Sequence, residues 1–417
     1  MPADEPFDTS THDELQLMQG FPPPTDKQVN RSNGLWVPPY NRWAYQNMRQ
    51  IWPSTPVRPA PKASHIPRNI DPAIGRITVL REDGTAADFD TFLRQTFTDS
   101  LIVITKGQIV YERYLNGMTA DQPHIMFSCT KSFIGLFALM EIEAGLVSEQ
   151  TPITDILPEL KGSGFAGATF GQVMDMTASI KFSEDYADPE AEIHDYGAVL
   201  GAGVKAGSAT ALSSLYAFAE TLQADPNRPH GTIFDYQTPQ ADVLSWAVCR
   251  LTGKSFIDTL ESRIWSKLGT EGDTYVLMDP SGIIFAGGGL NATANDLARF
   301  AVMALAGGRF EDAQVVASSI FDTIAKGGST AAFLKGPSAS EDMANGHWSY
   351  RAQWWVRNVP GHEAFMALGV NGQWIYIDRA RDVAVIKQSS QPEADSWYFQ
   401  QYTTNAIDAM IRHITGA

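Results

Sequence analysis

Ser128-Cys129-Thr130-Lys131, followed by Ser132-Phe133-Ile134-Gly135-Leu136-Phe137-Ala138-Leu139-Met140-Glu141-Ile142, decides the reading of this chain. Residues three apart on a helix lie on the same side, so Ser128 and Lys131 meet without help from distant sequence. A serine hydroxyl is a poor nucleophile until a neighbour removes its proton. A desolvated lysine loses its preference for the charged form and can do this. About one Ser-x-x-Lys is expected by chance in a chain of this length, so the tetrad needs its context. The stretch behind it is apolar on nearly every face and predicts a core helix ending at Gly145. Upstream, Leu101–Thr105 and Gln108–Tyr114 flank Lys106-Gly107 and predict a β-hairpin. The plain alternative makes Ser128 a helix cap and Lys131 a surface residue. A lysine opening so apolar a helix fits that poorly.

With 417 residues the chain is long enough for two lobes. The 47 acidic and 31 basic residues give a formal charge of −16, which argues against nucleic acid as a partner. The two cysteines, Cys129 and Cys249, set up no disulfide framework. The acidic start Met1-Pro2-Ala3-Asp4-Glu5 does not read as a signal peptide, and no apolar run suits a bilayer. A reduced, cytoplasmic setting with no membrane partner is the expectation. The eight histidines are scattered and no metal-ligand spacing is present, so neither metal nor cofactor is expected.

Residues 1–75 are rich in proline but carry Leu35, Trp36, Trp43, Tyr45 and Trp52. They predict an extended arm that packs on the body or on a second copy, which would make a homodimer. Further on, a short helix and turn is expected at Gln172–Lys181 and a loop from Phe182 to Gly207. Helices are expected at Ala211–Leu222, Gln240–Thr252 and Phe256–Leu268, with a capping box of Thr293 and Asp296 ahead of Leu297–Ala306. Strands are expected at His362–Val370, Trp374–Asp378 and Val383–Lys387, and a last helix at Glu393–Ile414. Strands thus sit early and late. The domain reading is an arm (1–75), an α/β lobe from 76–175 plus 290–417, and a mostly helical lobe at 176–289.

Ser-Lys chemistry also needs a proton shuttle and an oxyanion hole. Tyr236, in Phe234-Asp235-Tyr236-Gln237-Thr238, is the first shuttle candidate, since a tyrosine beside an ammonium can have a lowered pKa. The plain alternative for Tyr236 is a core residue capping the next helix.

At this point the chain resembles the serine β-lactamase and penicillin-binding-protein-like hydrolases, which include class C β-lactamases and family VIII carboxylesterases. Within them it is most similar to the 6-aminohexanoate-dimer hydrolases, which cleave nylon oligomers. Asn41-Arg42-Trp43-Ala44-Tyr45, Thr98-Asp99-Ser100, Ser128–Ser132 and Ser183-Glu184-Asp185-Tyr186-Ala187-Asp188-Pro189 carry the likeness. So do Phe234-Asp235-Tyr236 with Asp242-Val243-Leu244-Ser245-Trp246, Asp296-Leu297-Ala298-Arg299, Gln353-Trp354-Trp355 and Asn371-Gly372-Gln373. The resemblance implies an α+β fold of the β-lactamase/transpeptidase type, a mainly antiparallel sheet flanked by helices plus an all-helical lobe.

The resemblance also implies roles. Ser128 would be the nucleophile, Lys131 its base and Tyr236 the second-motif tyrosine. Tyr186 would sit on a loop over the substrate and protonate the leaving amine. The N–H groups of Ser128 and Val370 would form the oxyanion hole. Asp195 would hold a substrate ammonium, Trp355 would line the acyl pocket, and Asn371 and Gly287 would border the substrate. Gly287 stands where some nylon-oligomer enzymes carry a polar residue that tunes activity. Ala367-Leu368-Gly369 replaces the usual Lys-Thr-Gly or His-Thr-Gly, and the missing cation argues against true β-lactamase or cell-wall peptidase activity. The expected substrate is therefore a small linear amide. The rivals are a short-chain carboxylesterase on the same scaffold and a catalytically idle binding protein.

Overall fold

The computed structural model describes residues 7–202, 212–340 and 343–416. The expected hairpin forms as β1 (Thr98–Thr105) and β2 (Gln108–Tyr114), with Lys106 and Gly107 both at positive φ in its tight turn. Five strands from the far end of the chain complete the sheet. They are β3 (Trp348–Arg351), β4 (Trp354–Arg357), β5 (Ala364–Gly369), β6 (Gln373–Asp378) and β7 (Val383–Ser389). The order is β3-β4-β5-β6-β7-β1-β2, antiparallel throughout, and β7 joins the two chain ends by pairing Val385 with Val103. Buried residues run along both faces of β1, β6 and β7, as a sheet covered on two sides requires.

Helix α1 (Cys129–Glu143) is buried from Cys129 to Glu141. Each fully buried Leu, Ile or Phe on it contributes roughly 1.5–3 kcal/mol. Gly135 lets α1 approach the β3–β4 turn: a Cβ there would stand 1.7 Å from the Ala352 carbonyl oxygen. Three residues earlier in the helix, Ser132 Oγ donates to the Gln353 carbonyl at 2.7 Å. These contacts seat α1 on the sheet.

The expected loop from Phe182 to Gly207 instead contains helix α2 (Glu192–Val199). Its buried stripe is Ile193, Tyr196 and Val199, and Gly197 with the polar residues between them masks the periodicity. Residues 203–207 of that expected loop, and Ala211 of the next expected helix, lie outside the described residues. That next helix is observed at Leu215–Thr221, where Ser214 accepts from the Ala217 N–H. The short helix expected at Gln172–Lys181 is Phe170–Met174, opened by a Thr169/Gln172 capping box. Helix α3 (Pro239–Thr252) ends at Gly253 in the left-handed region, as expected. The helix expected at Phe256–Leu268 is interrupted by a π turn at Glu261–Trp265. Ahead of helix α4 (Ala294–Leu305), Thr293 caps the Asp296 N–H. The Asp296 carboxylate does not close a capping box. It accepts from the N–H groups of Glu271 and Gly272 and pairs with Arg299 at 2.9 Å. The last helix, α5, is Trp397–Thr415.

The proline-rich arm packs on its own chain. Its Ser54–Val57 strand pairs with Thr274–Leu277 in a second, four-stranded sheet that also holds Leu290–Ala292 and His124–Ile125. Two stretches from the family resemblance meet here. Arg42 Nη1 pairs with Asp99 Oδ1 at 3.1 Å, and Asp99 also binds Asn116 at 2.9 Å, His124 at 3.0 Å and Ser390 at 2.7 Å. Burial works to raise the Asp99 pKa, but Arg42, His124 and Ser390 hold it below its ordinary value. Among the described residues no helix is long and apolar enough to cross a membrane.

Removing one partner of a buried ion pair strands the other. Asp99→Ala should therefore lower unfolding stability by about 3–5 kcal/mol, read as a lower midpoint in urea.

Candidate active site

Ser128 lies just before α1, with φ −62° and ψ −10°, and its side chain makes no cap hydrogen bond. That leaves Oγ available. Phe127 before it holds φ +43°, a conformation a bulky side chain rarely adopts. Packing enforces it: the Phe127 ring stacks on Trp36 at 5.8 Å and meets Tyr45 edge-on at 4.9 Å. Thr130 pins the same turn. Its hydroxyl donates to the Phe127 carbonyl at 2.7 Å and accepts from the Leu290 N–H at 3.0 Å.

Lys131 is 1 % exposed. Its Nζ donates to Ser128 Oγ at 2.8 Å and to the Gly287 carbonyl at 2.6 Å, and lies 5.0 Å from the centroid of the Tyr236 ring. Burial pushes its pKa down to about 8, against the opposing pull of Glu184 and Asp242.

Tyr236 stands three residues before the Pro239 that opens α3. Ser128 lies close enough to the Tyr236 hydroxyl to oppose the effect of burial on it. The sequence expectation of a lowered Tyr236 pKa is not met. Burial raises it well above the ordinary value and Glu184 adds to the effect, so the hydroxyl stays protonated at neutral pH. Tyr236 also stacks on Trp355 at 5.5 Å.

Tyr186 reaches the site from the loop before α2, and its ring lies 5.6 Å from Trp36. Its hydroxyl donates to Glu184 at 3.0 Å. Glu184 also accepts from Thr238, from the N–H at 2.6 Å and from Oγ1 at 2.7 Å. Burial raises the Glu184 pKa, while Lys131, Thr238 and Tyr186 oppose the rise.

A small cavity of about 30 Å³ opens beside Ser128. Its walls include Leu35 and Trp36 from the arm, Ile193 and Leu200 from around α2, Phe285, and Val370. Tyr186, Thr238 and Gly287 border it as well. Neither Ser128 nor Val370 gives its N–H to a backbone acceptor among the turns, loops and caps of the described residues.

Asp195, Trp355 and Asn371 are not among the lining residues. Asp195 lies on α2, but Tyr196 and Gly197 of that helix face the cavity. Trp355 stands on β4 behind Tyr236. Asn371, at φ +58°, buttresses the β5–β6 turn: its Nδ2 donates to the Gln391 carbonyl at 2.7 Å and its N–H to Ala394 at 2.8 Å. Gly287 lines the cavity through its backbone. A Cβ there would lie 2.3 Å from Thr238 Cγ2, so a larger residue does not fit.

The model of the β-lactamase family matches residues 86–397. The chain belongs to that family. It is a serine hydrolase with the β-lactamase/transpeptidase fold. A 6-aminohexanoate-dimer hydrolase of Paenarthrobacter ureafaciens is 32% identical over 383 residues, covering 89% of this chain and 93% of that one. A structure from Bacillus anthracis, provisionally named a 6-aminohexanoate-dimer hydrolase, superposes with TM-score 0.83 at 29% identity, over 94% of this chain and 98% of that one. A penicillin-binding-protein homologue from Caulobacter crescentus shares the fold alone, with TM-score 0.55 at 16% identity over 77% of this chain and 95% of that one.

Sequence reasoning passed over Glu184, Tyr196 and Asp242 as site residues. Glu184 and Asp242 lie within stretches that carried the resemblance, but nothing in their spacing announced that their charge acts on Lys131. Tyr196 fell in the segment read as loop. Gly287→Ala should displace the carbonyl that holds Lys131 and cut the rate of Ser128 labelling by an activated phosphonate about tenfold or more. An unchanged rate would show that the contact is dispensable.

Proposed function

We propose that the chain is a serine amidase for small linear substrates resembling the 6-aminohexanoate dimer, acting through an acyl-enzyme. The observation that carries this reading is the 2.8 Å contact between a buried Lys131 Nζ and Ser128 Oγ. Neutral Lys131 removes the Ser128 proton, directly or through Tyr236. Oγ bonds to the substrate carbonyl carbon and the carbonyl π pair moves to oxygen. The N–H groups of Ser128 and Val370 stabilise that oxyanion, each worth a few kcal/mol at such sites. Collapse breaks the C–N bond as the amine takes the proton now on Lys131, relayed by Tyr236. As a neutral phenol, Tyr236 relays by accepting one proton while giving up its own. Tyr186 assists at the leaving group. Water, deprotonated by the same lysine, bonds to the acyl carbon; the bond to Ser128 Oγ then breaks, Oγ takes the proton back from Lys131, and the acid leaves. The apolar walls of Leu35, Ile193, Leu200 and Phe285 suit a methylene chain.

One observation favours esterase action as a second reading. The Tyr186 hydroxyl donates to Glu184 in this structure. Esters need less protonation of the leaving group than amides.

Ser128→Ala should abolish cleavage of both the linear 6-aminohexanoate dimer and a short-chain p-nitrophenyl ester, by about 10³-fold or more. Full activity in that variant would sink the mechanism. Tyr186→Phe should slow the amide by about 10²-fold and leave the ester almost unchanged. Equal losses would remove the role given to Tyr186. Wild-type cleavage of the ester alone would move the assignment to a carboxylesterase. Because Lys131 must be neutral to act, kcat/KM should rise with pH and reach half its plateau near the lysine pKa of about 8.

A further inference from the structure

Asp242 is a buried carboxylate on α3, 1 % exposed, that no step above uses. Its two oxygens have different partners. Oδ2 accepts the Tyr196 hydroxyl at 2.6 Å, and Oδ1 accepts the Gly287 N–H at 3.2 Å. Gly287 in turn offers its carbonyl to Lys131 Nζ at 2.6 Å. Four pieces of chain therefore converge: α1 with the lysine, α2 with Tyr196, α3 with Asp242 and the loop that carries Gly287. None has slack. A Cβ on Gly287 would lie 2.3 Å from Thr238 and 3.1 Å from the Tyr196 hydroxyl. The Tyr196 ring is enclosed by Phe182, Phe218 and Phe285 at 5.6 to 6.4 Å.

We propose that Asp242 is a positioning residue for Lys131. Its carboxylate fixes Gly287, whose carbonyl holds Nζ against Ser128, and its negative charge helps the lysine keep its proton. This rests on the reading of Lys131 as the base.

The groups facing the lysine are Ser128 and Cys129 from its own turn, Glu184 from the loop before α2, Tyr236 from the segment before α3, and Asp242. Those acting on Asp242 are Tyr196, Gly287, Lys131 and, more weakly, Asp279. Burial pushes Asp242 up to about 7, with the Tyr196 hydroxyl and Lys131 opposing. Burial pushes Asp242 up and Lys131 down, so the two titrate close together and each favours the other's charged form. A negative neighbour favours the ammonium, so removing that charge must let the lysine deprotonate at lower pH.

The test is the pH dependence of Ser128 labelling by a fluorophosphonate, which needs no assumption about the substrate. Wild type, Asp242→Asn and Tyr196→Phe are compared, each checked for folding by its melting temperature. Asparagine keeps an acceptor for the Gly287 N–H and removes the charge. The acid limb should move down by about half a pH unit or more in Asp242→Asn. Tyr196→Phe leaves the carboxylate harder to ionise and should give a smaller shift in the same direction. A purely structural role would lower the labelling rate and leave the limb in place. A limb unmoved in folded Asp242→Asn overturns the assignment, and if that variant does not fold, Tyr196→Phe decides in the same way. A wild-type profile with no acid limb near pH 8 overturns the lysine base itself.

Discussion

A lysine ammonium kept out of water is the constraint from which this site is built. Desolvation makes the charged form costly, so Lys131 is held close to the pH at which it becomes a base. Its two polar partners are neutral, the Ser128 hydroxyl and the Gly287 carbonyl. Neutral acceptors steady the amine without locking its proton in place. The rest of the fold brings those partners to one point. Helix α1 presents serine and lysine on one face, and the missing side chain of Gly135 lets that helix sit against the sheet. The loop through Gly287 supplies the carbonyl from the opposite side.

Much of this was legible because it is local. The hairpin of β1 and β2, helix α1 and the last three strands follow from short-range pattern. The Ser128–Lys131 pair follows from helix geometry alone. The Arg42–Asp99 pair was visible only as two stretches of family likeness 57 residues apart, and its electrostatic meaning appears once they touch. What stayed hidden depends on distant packing. Gln353-Trp354-Trp355 shows only as a stretch of family likeness, and nothing local announces β3 or β4, since their pairing is set by the sheet. Helix α2 was read as loop because glycine and polar residues interrupt its apolar stripe. Asp195 and Tyr196 are adjacent, yet Tyr196 and not Asp195 lines the cavity, a difference of helix phase that adjacency in sequence does not fix.

The arm shows how a proline-rich segment becomes part of a site. Trp36 stacks on Phe127 and lies over Tyr186, so one arm residue touches both the turn that presents Ser128 and the loop that carries Tyr186. The left-handed conformation of Phe127 costs energy, on the order of 1–3 kcal/mol for such residues, and persists only where its surroundings over-determine it. Trp36 and Tyr45, both from the arm, supply that packing. The Arg42–Asp99 cluster fixes the arm to the sheet a few residues away. Arm docking and the geometry at Ser128 are thus one problem.

The two carboxylates near Lys131 then make sense as a matched pair kept at one remove. A direct ion pair would lock the lysine in its ammonium form. Among the described residues neither acid bonds to Nζ. Asp242 spends its oxygens on Tyr196 and Gly287, and Glu184 spends its own on Thr238 and Tyr186. Each is satisfied by neutral donors, so each acts on the lysine through space. Their charge offsets part of the desolvation that would otherwise carry the lysine pKa still lower. A lysine pKa pushed to about 8 is the balance between burial, which favours the free amine, and two acids held near but out of reach.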